Sequence, residues 1–401
     1  MQVTLIGIGV GADTLTREAW EALEQAEPVL GARRLLESLP AVEGQTRLAA
    51  ARADEIMTLL REVDAPRPCV VFSGDTGFHS GATGLLALLR AEGVPFRVLP
   101  GVSSVQLLAA RLGEPWQDWA LYSAHGADCD VVSAVMAGKS AFFLTDGAHT
   151  PAALCRALTD AGLGALRAAV GENLSGMNER VVIGTAAACA ETAFAPLSVL
   201  LVDAAPRPYA RAGGIPDEAF VRGNVPMTKQ EVRAAILAKL AVMDDETVWD
   251  VGAGTGSVSV ELALAARCGR VFAVEQRDEA CALIERNRAR FGAWNLRVTR
   301  GRAPEALAEL PAPDAVFIGG SGGALPGIVD AALAKNPDAR LCASAVALET
   351  LSAALAAFSA RGLETEVTQL SVARAKPGAR LHLLLANNPV FLLTARREGE
   401  A

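Results

Sequence analysis

The sequence predicts an α/β protein of two domains, and three observations predict it. Short apolar runs of strand character alternate with helical patterns along nearly the whole chain, the pattern of parallel sheets covered by helices. Several of those runs end in glycine-rich turns, chief among them Gly252-Ala253-Gly254-Thr255-Gly256. Between residues 204 and 216 stand three prolines and two glycines, which cannot sustain a helix or a central strand. At 401 residues the chain is also too long for one ordinary core. The expected division is a first domain over 1–204, a linker over 205–222 and a second domain over 223–401.

In the second half, strands are read near Thr247 to Val251, Val271 to Glu275, Leu296 to Thr299, Ala315 to Ile318 and Leu341 to Ser344. Two β-rich segments close the chain, Thr365 to Val372 and Leu381 to Ala386, the latter able to continue to Leu393. Seven strands, with helices between the first five and a final pair without one, describe an open doubly wound sheet finished by an antiparallel hairpin. A ligand is expected at the carboxyl ends of the first strands. The first strand runs into the glycine turn, whose backbone can approach a ligand closely, and the helix from Ser257 presents unpaired N–H groups. The second strand ends in Glu275, positioned to accept hydrogen bonds from ribose hydroxyls. Turn and acid together point to a nucleotide-like ligand.

In the first half, Val3 to Ile8 ends in Gly7-Ile8-Gly9-Val10-Gly11-Ala12, Cys69 to Phe72 in Ser73-Gly74-Asp75-Thr76-Gly77, and Phe96 to Leu99 in Pro100-Gly101-Val102-Ser103-Ser104. Three strand ends rich in Gly and small polar residues are expected to border one cleft. Ala141 to Leu144 and Leu197 to Val202 read as strands of a second lobe. Gly7 to Ala12 fits the loose dinucleotide pattern, but its acid after a second strand is missing, since Glu27 precedes the short Val29-Leu30 run. A tight turn with no ligand also accounts for this loop.

Composition narrows the function. A net charge of −8 argues against a general nucleic-acid surface. No run of eighteen uncharged apolar residues could span a bilayer, and the opening residues enter a strand pattern without a basic stretch. The expected setting is the cytoplasm, away from membranes. Seven scattered cysteines, with no Cys-x-x-Cys pair and no histidine at zinc spacing, read as reduced and mostly buried thiols; no metal site is expected.

The motifs also carry a resemblance, to the tetrapyrrole methylases of cobalamin biosynthesis. The first half is similar to the precorrin C5-methylating component in Gly7 to Gly11, Ser73-Gly74-Asp75, Pro100 to Ser104, Ser123-Ala124-His125-Gly126 and Gly171-Glu172-Asn173-Leu174. The second half resembles the C15-methylating, C12-decarboxylating component in Pro226 to Arg233, the turn from Gly252 to Gly256, Gly319-Gly320-Ser321-Gly322-Gly323 and Asn388-Pro389-Val390. Two unlike motif sets in this order resemble the fused C5,15-methyltransferases. The resemblance implies a two-lobed tetrapyrrole methylase fold followed by a Rossmann-like seven-stranded methyltransferase fold. It implies S-adenosylmethionine as the cofactor and an anionic tetrapyrrole as the substrate; a homo-oligomer is also expected. By the same analogy the cofactor would contact Gly9, Gly11, Asp75, Gly77, Ser103 and Ser104 in the first domain, and Thr228, Gly252, Gly254, Gly256, Glu275 and Ala303 in the second. Val10 departs from the family, where proline is frequent.

For the substrate, the loop of Gly319, Gly320, Ser321, Gly322 and Gly323 suits close approach of a broad flat molecule. Lys229, Arg233, Lys376 and Arg380 are candidate partners for its carboxylates, or ordinary surface cations. Glu349 is the candidate for handling a proton or positioning substrate, a place that a solvated glutamate at a helix start fills equally well. His125 is the candidate for orienting substrate in the first domain, against a satisfied loop histidine. Two other readings stay open: a fused methyltransferase on another acceptor, and a first half that binds the cofactor only to regulate.

Overall fold

The computed structural model describes residues 2–10, 12–63, 65–124, 129–206, 213–377 and 382–397. The chain falls into two compact units, one of Met1–Cys129, Lys139–Arg156 and Ala165–Asp203, the other of Asp130–Gly138, Ala157–Gly164 and Ala204–Ala401.

The first unit contains two five-stranded sheets. One comprises β1 (Val3–Gly7), β2 (Val29–Gly31), β3 (Arg47–Ala49), β4 (Cys69–Phe72) and β5 (Phe96–Leu99) in the order β3-β2-β4-β1-β5, all parallel. Its central strands are buried on both faces, which is why Cys69–Phe72 reads as an unbroken apolar run. The adjacency of β4, β1 and β5 brings the three predicted glycine-bearing strand ends side by side. The other sheet orders β6 (Ala120–Ser123), β7 (Ala141–Leu144), β8 (Arg167–Glu172), β9 (Arg180–Thr185) and β10 (Ser198–Val202) as β6-β7-β10-β8-β9, with only β6 and β7 parallel.

The second unit is built on one sheet of seven strands. These are β11 (Thr247–Val251), β12 (Arg270–Glu275), β13 (Leu296–Arg300), β14 (Ala315–Ile318), β15 (Arg340–Ala345), β16 (Glu364–Leu370) and, after a separate ribbon of β17 (Ala373–Pro377) and β18 (His382–Ala386), β19 (Val390–Arg396). The order is β13-β12-β11-β14-β15-β19-β16; the first five are parallel, and β19 inserts antiparallel between β15 and β16. Trp249 and Phe317 from β11 and β14, and Phe358 from the helix Leu348–Ser359, lie fully buried in its core.

One strand expectation needs correction. Leu381 to Ala386 is expected from the sequence to join the main sheet, whereas among the described residues His382–Ala386 pairs only with Ala373–Pro377. Its leucines 383, 384 and 385 are 60%, 73% and 53% exposed; an apolar run alone does not distinguish a buried strand from an exposed ribbon. The strand that closes the sheet is Val390–Arg396.

Candidate functional site

In the second unit the chain leaves β11 at Gly252 with φ +74°. A Cβ there would lie 2.3 Å from the backbone oxygen of Gly320, so the turns after β11 and β14 touch through their backbones. Gly254 follows at φ +57°, and its N–H donates to Glu275 Oε2 at 3.0 Å. Glu275 Oε1 accepts the N–H groups of Gln276 and Arg277 at 2.9 and 3.0 Å. The carboxylate is thus only 6% exposed and held in one orientation by three backbone donors.

Around this turn lies a cavity of about 510 Å³, bordered by the ends of all five parallel strands. Of the predicted residues, Thr228, Lys229, Gly252, Gly254, Glu275, Ala303, Gly319, Gly320, Ser321 and Gly322 line it. Gly256 and Gly323 do not. Gly256 has its own reason to be glycine: a Cβ would stand 2.9 Å from the Ile284 side chain, on the helix Asp278–Phe291. It permits close packing of that helix against Ser257–Ala265.

Two polar lining residues that the sequence left unassigned stand out, Asp250 in the strand Thr247–Val251 and Thr255 in the glycine turn after it. Asp250 is fully buried; Ser259 Oγ donates to its Oδ2, and its Oδ1 has no hydrogen-bond partner among the described residues. Burial first, and the neighbouring Glu275 charge second, push its pKa up to about 7, against the Ser259 hydrogen bond. Thr255, 1% exposed, likewise keeps an unpartnered Oγ1. Buried polar atoms without partners are rare in folded proteins, and these two border the same cavity. An aspartate inside the apolar stretch Thr247–Val251 was the signal that could have found the first.

Arg233 is a correction. It is fully buried, with Nη1 2.8 Å from Asp217 Oδ1, Nε 2.9 Å from Glu261 Oε1, and its guanidinium 4.7 Å from the Phe220 ring centroid. Glu261 also accepts the N–H groups of Gly214 and Ile215. The arginine ties the segment before the helix Gln230–Leu240 to the core and has no free donor face for a substrate. Glu349 lies exposed in the first turn of Leu348–Ser359 and does not line the cavity, although Ser344 and Val346 just before it do. Lys376 lines a smaller adjoining cleft. Arg380 lies outside the described residues, as do His125 and Gly11.

The first unit has its own cavity of about 620 Å³, lined by Val10, Asp75, Ser103 and Ser104 from the three strand ends and by Thr145, Asp146 and Leu197 from the second lobe. Gly9 and Gly77 are not among its lining residues. Gly9, at φ +72°, bridges to Gly74 and packs on Thr14. Both Asp75 oxygens are occupied, Oδ1 by the Gly77 N–H at 2.8 Å and Oδ2 by the Gly101 N–H at 3.1 Å. Ser103 caps the helix Ser104–Leu112 in a capping box with Gln106. Arg34, missed in the sequence, is the one Lys or Arg among this cavity's described lining residues.

Two glycine-turn cavities at the carboxyl ends of parallel strands are the places where α/β proteins bind nucleotide-like cofactors. The chain matches the family of tetrapyrrole (corrin/porphyrin) methylases over residues 2–190 and that of the precorrin methyltransferase domain over 218–397. This is a methyltransferase of two unlike domains. It is 36% identical over 385 residues to the precorrin-6Y C(5,15)-methyltransferase [decarboxylating] of a Sinorhizobium species, covering 94% of this chain and 91% of that one. To the protein of the same description from Mycobacterium tuberculosis it is 32% identical, over 90% of this chain and 92% of that one. Its second half is 40% identical to the cobalt-precorrin-6B C(15)-methyltransferase (decarboxylating) of Salmonella typhimurium, over 45% of this chain and 95% of that protein. The chain belongs to the family of precorrin-6Y C(5,15)-methyltransferases (decarboxylating).

Proposed function

We propose that the first domain, residues 1–204, methylates precorrin-6B at C5, and that the second, residues 223–401 after a linker at 205–222, methylates it at C15 and removes the carboxyl group of the C12 acetate. S-adenosylmethionine is the donor for both. The observation that carries this reading is that each half has its own cavity at the ends of parallel strands, in a chain related over nearly its full length to C(5,15)-methyltransferases. The reading includes a cytoplasmic homo-oligomer whose partner is an anionic tetrapyrrole. Consistent with it, no helix among the described residues is long and apolar enough to cross a membrane.

In the second domain Glu275 would accept the ribose hydroxyls, Gly252 and Gly254 would admit the methionine part, and the backbone beside Ala303 would meet the adenine. The unpartnered Asp250 Oδ1 and Thr255 Oγ1 fit the polar end of such a ligand. A sulfonium methyl is already electrophilic. The chain's residues therefore need only hold the ring carbon in line and exclude water, an orientation effect worth at most roughly 7–11 kcal/mol. For decarboxylation the conjugated ring imines can take the electrons, leaving the protein to position the acetate and return a proton to the carbon.

The test is incubation with precorrin-6B and methyl-labelled S-adenosylmethionine, counting methyl groups and carbon dioxide. Two methyls and one carbon dioxide per substrate are expected; one methyl, or none, overturns the reading for the silent domain.

A further inference from the structure

Beside the main cavity of the second domain lies a separate cleft of about 350 Å³, at the base of the ribbon β17–β18. Lys229 and Asn387 line both spaces, so the two are neighbours that share a wall. Arg222, Arg374 and Lys376 complete the cationic lining, against Asp217 and Glu218.

These charges are not equivalent. Asp217 is 3% exposed and shared between Arg233 and Arg374. Arg374 is also paired with Glu231 at 2.8 Å, so it forms a neutralised wall that fixes the ribbon's base. Lys229, Arg222 and Lys376 have no ion-pair partner among the described residues. Arg222 is oriented by a hydrogen bond from Nε to the Asp217 carbonyl at 3.1 Å, which leaves its other nitrogens free. Lys229 stands half-buried at the N-terminus of Gln230–Leu240, which has no side-chain cap. The helix's first N–H groups therefore add to the positive field. In a protein of net charge −8, this is a local excess of unpaired cations beside a cavity.

We propose that this cleft anchors peripheral carboxylates of the tetrapyrrole through Lys229, Arg222 and Lys376, while the macrocycle occupies the main cavity over the Gly319–Gly322 turn. The proposal rests on the substrate reading above and adds where the side chains go. Anchoring outside the main cavity fixes the ring's rotation, and so decides which ring carbon faces the methyl donor. Charge-assisted hydrogen bonds give both affinity and register, and an open cleft makes them sensitive to salt.

The experiment titrates precorrin-6B, followed by its own absorbance, into full-length protein saturated with S-adenosylhomocysteine, so that binding is read without turnover. In Arg222→Gln/Lys376→Gln the dissociation constant is expected to rise about tenfold or more, the equivalent of one net charged hydrogen bond. Its dependence on salt should flatten, while affinity for S-adenosylhomocysteine stays at the wild-type value. The double variant Arg222→Lys/Lys376→Arg should restore binding, which separates a charge contact from a packing one. Wild-type affinity and salt dependence in the glutamine variant would overturn the cleft's role. If that result comes with normal methyl transfer by the wild-type protein, the substrate reading survives it; if the wild-type protein neither binds nor methylates precorrin-6B, the substrate reading itself has failed.

Discussion

The two cavities share a glycine turn and an acid held by backbone N–H groups, but differ in their unpartnered polar atoms and in their cations. In the second domain the strand-end acid, Glu275, is clamped by backbone N–H groups at the cavity wall, and two further buried polar atoms, on Asp250 and Thr255, lack partners. In the first domain the corresponding acid, Asp75, has both oxygens occupied by the loops it joins. Its neighbouring glycines meet backbone to backbone: a Cβ on Gly101 would lie 2.2 Å from the Gly74 oxygen and 2.5 Å from the Gly7 oxygen. Glycine plus acid at a strand end therefore borders a cavity in both units, and what differs is that the second lining holds unpartnered buried polar atoms while the described lining of the first holds none. The first cavity's remaining described lining comes from the second lobe and from Arg34, among others.

The largest effect is expected from Gly101→Ala, at the backbone joint of the first domain. With backbone on both sides the added methyl cannot be relieved by rotamer change, and the loops after β1, β4 and β5 must separate. We expect loss of more than about 4 kcal/mol in the first domain and no C5 methylation, with the second domain's thermal transition in place. A single unshifted transition in calorimetry, with C5 methylation intact, would show that the joint is not structural.

Next in size is Glu275→Ala. It removes the acceptor from three backbone N–H groups as well as from the ligand, so donor affinity of the second domain should fall about a hundredfold, or roughly 3 kcal/mol. The first domain should bind as before. Calorimetric titration with S-adenosylhomocysteine is expected to show two sites in the wild-type protein and one in the variant; two undiminished sites would remove Glu275 from the cofactor contacts.

How much of this was legible follows from what burial does to sequence. Cys69–Phe72 was visible because a strand covered on both faces is continuously apolar, and Thr247–Val251 because Val248, Trp249 and Val251 lead straight into a glycine turn. The strands Arg47–Ala49 and Arg180–Thr185 escaped notice, being only three residues long in one case and partly exposed in the other. Glu275 could be read because an acid ending an apolar strand is conspicuous. Arg233 was misread as a substrate partner because its acids, Asp217 and Glu261, lie 16 and 28 residues away, and local sequence cannot say that three charges are buried together. Arg34 stands on a short helix beside Arg33, with nothing in the local pattern to favour either.

Asp250 gives a pH-dependent test of the second cavity's unpartnered groups. Burial raises its pKa from 3.8 to about 7 in the folded protein, so folding without ligand retains a proton that the unfolded chain releases. The resulting stabilisation is complete below about pH 3.8 and is lost as pH rises through about 7. A tenfold change in proton affinity is worth about 1.4 kcal/mol, so the second domain should weaken by up to a few kcal/mol between pH 5 and 8. Asp250→Asn should abolish that slope and leave the variant the more stable form at pH 8. Parallel thermal-unfolding curves of the two proteins across this range would show that Asp250 does not hold the proton.

The smallest expected effect falls on Arg34. It is exposed, has no ion-pair partner among the described residues, and is the only Lys or Arg in the first cavity's described lining, whereas Lys229, Arg277 and Arg302 line the second. One exposed cation contributes less than three cations together, because water screens it and its side chain must be ordered. Arg34→Ala should raise the substrate KM for C5 methylation about tenfold at most, leaving kcat and C15 methylation near wild type. Mass spectrometry of limiting-substrate reactions should show product methylated at C15 alone accumulating. If both methylations instead slow together, the two cavities depend on a common cation, and the contrast between a charge-poor first cavity and a charge-rich second one no longer explains how each holds its substrate.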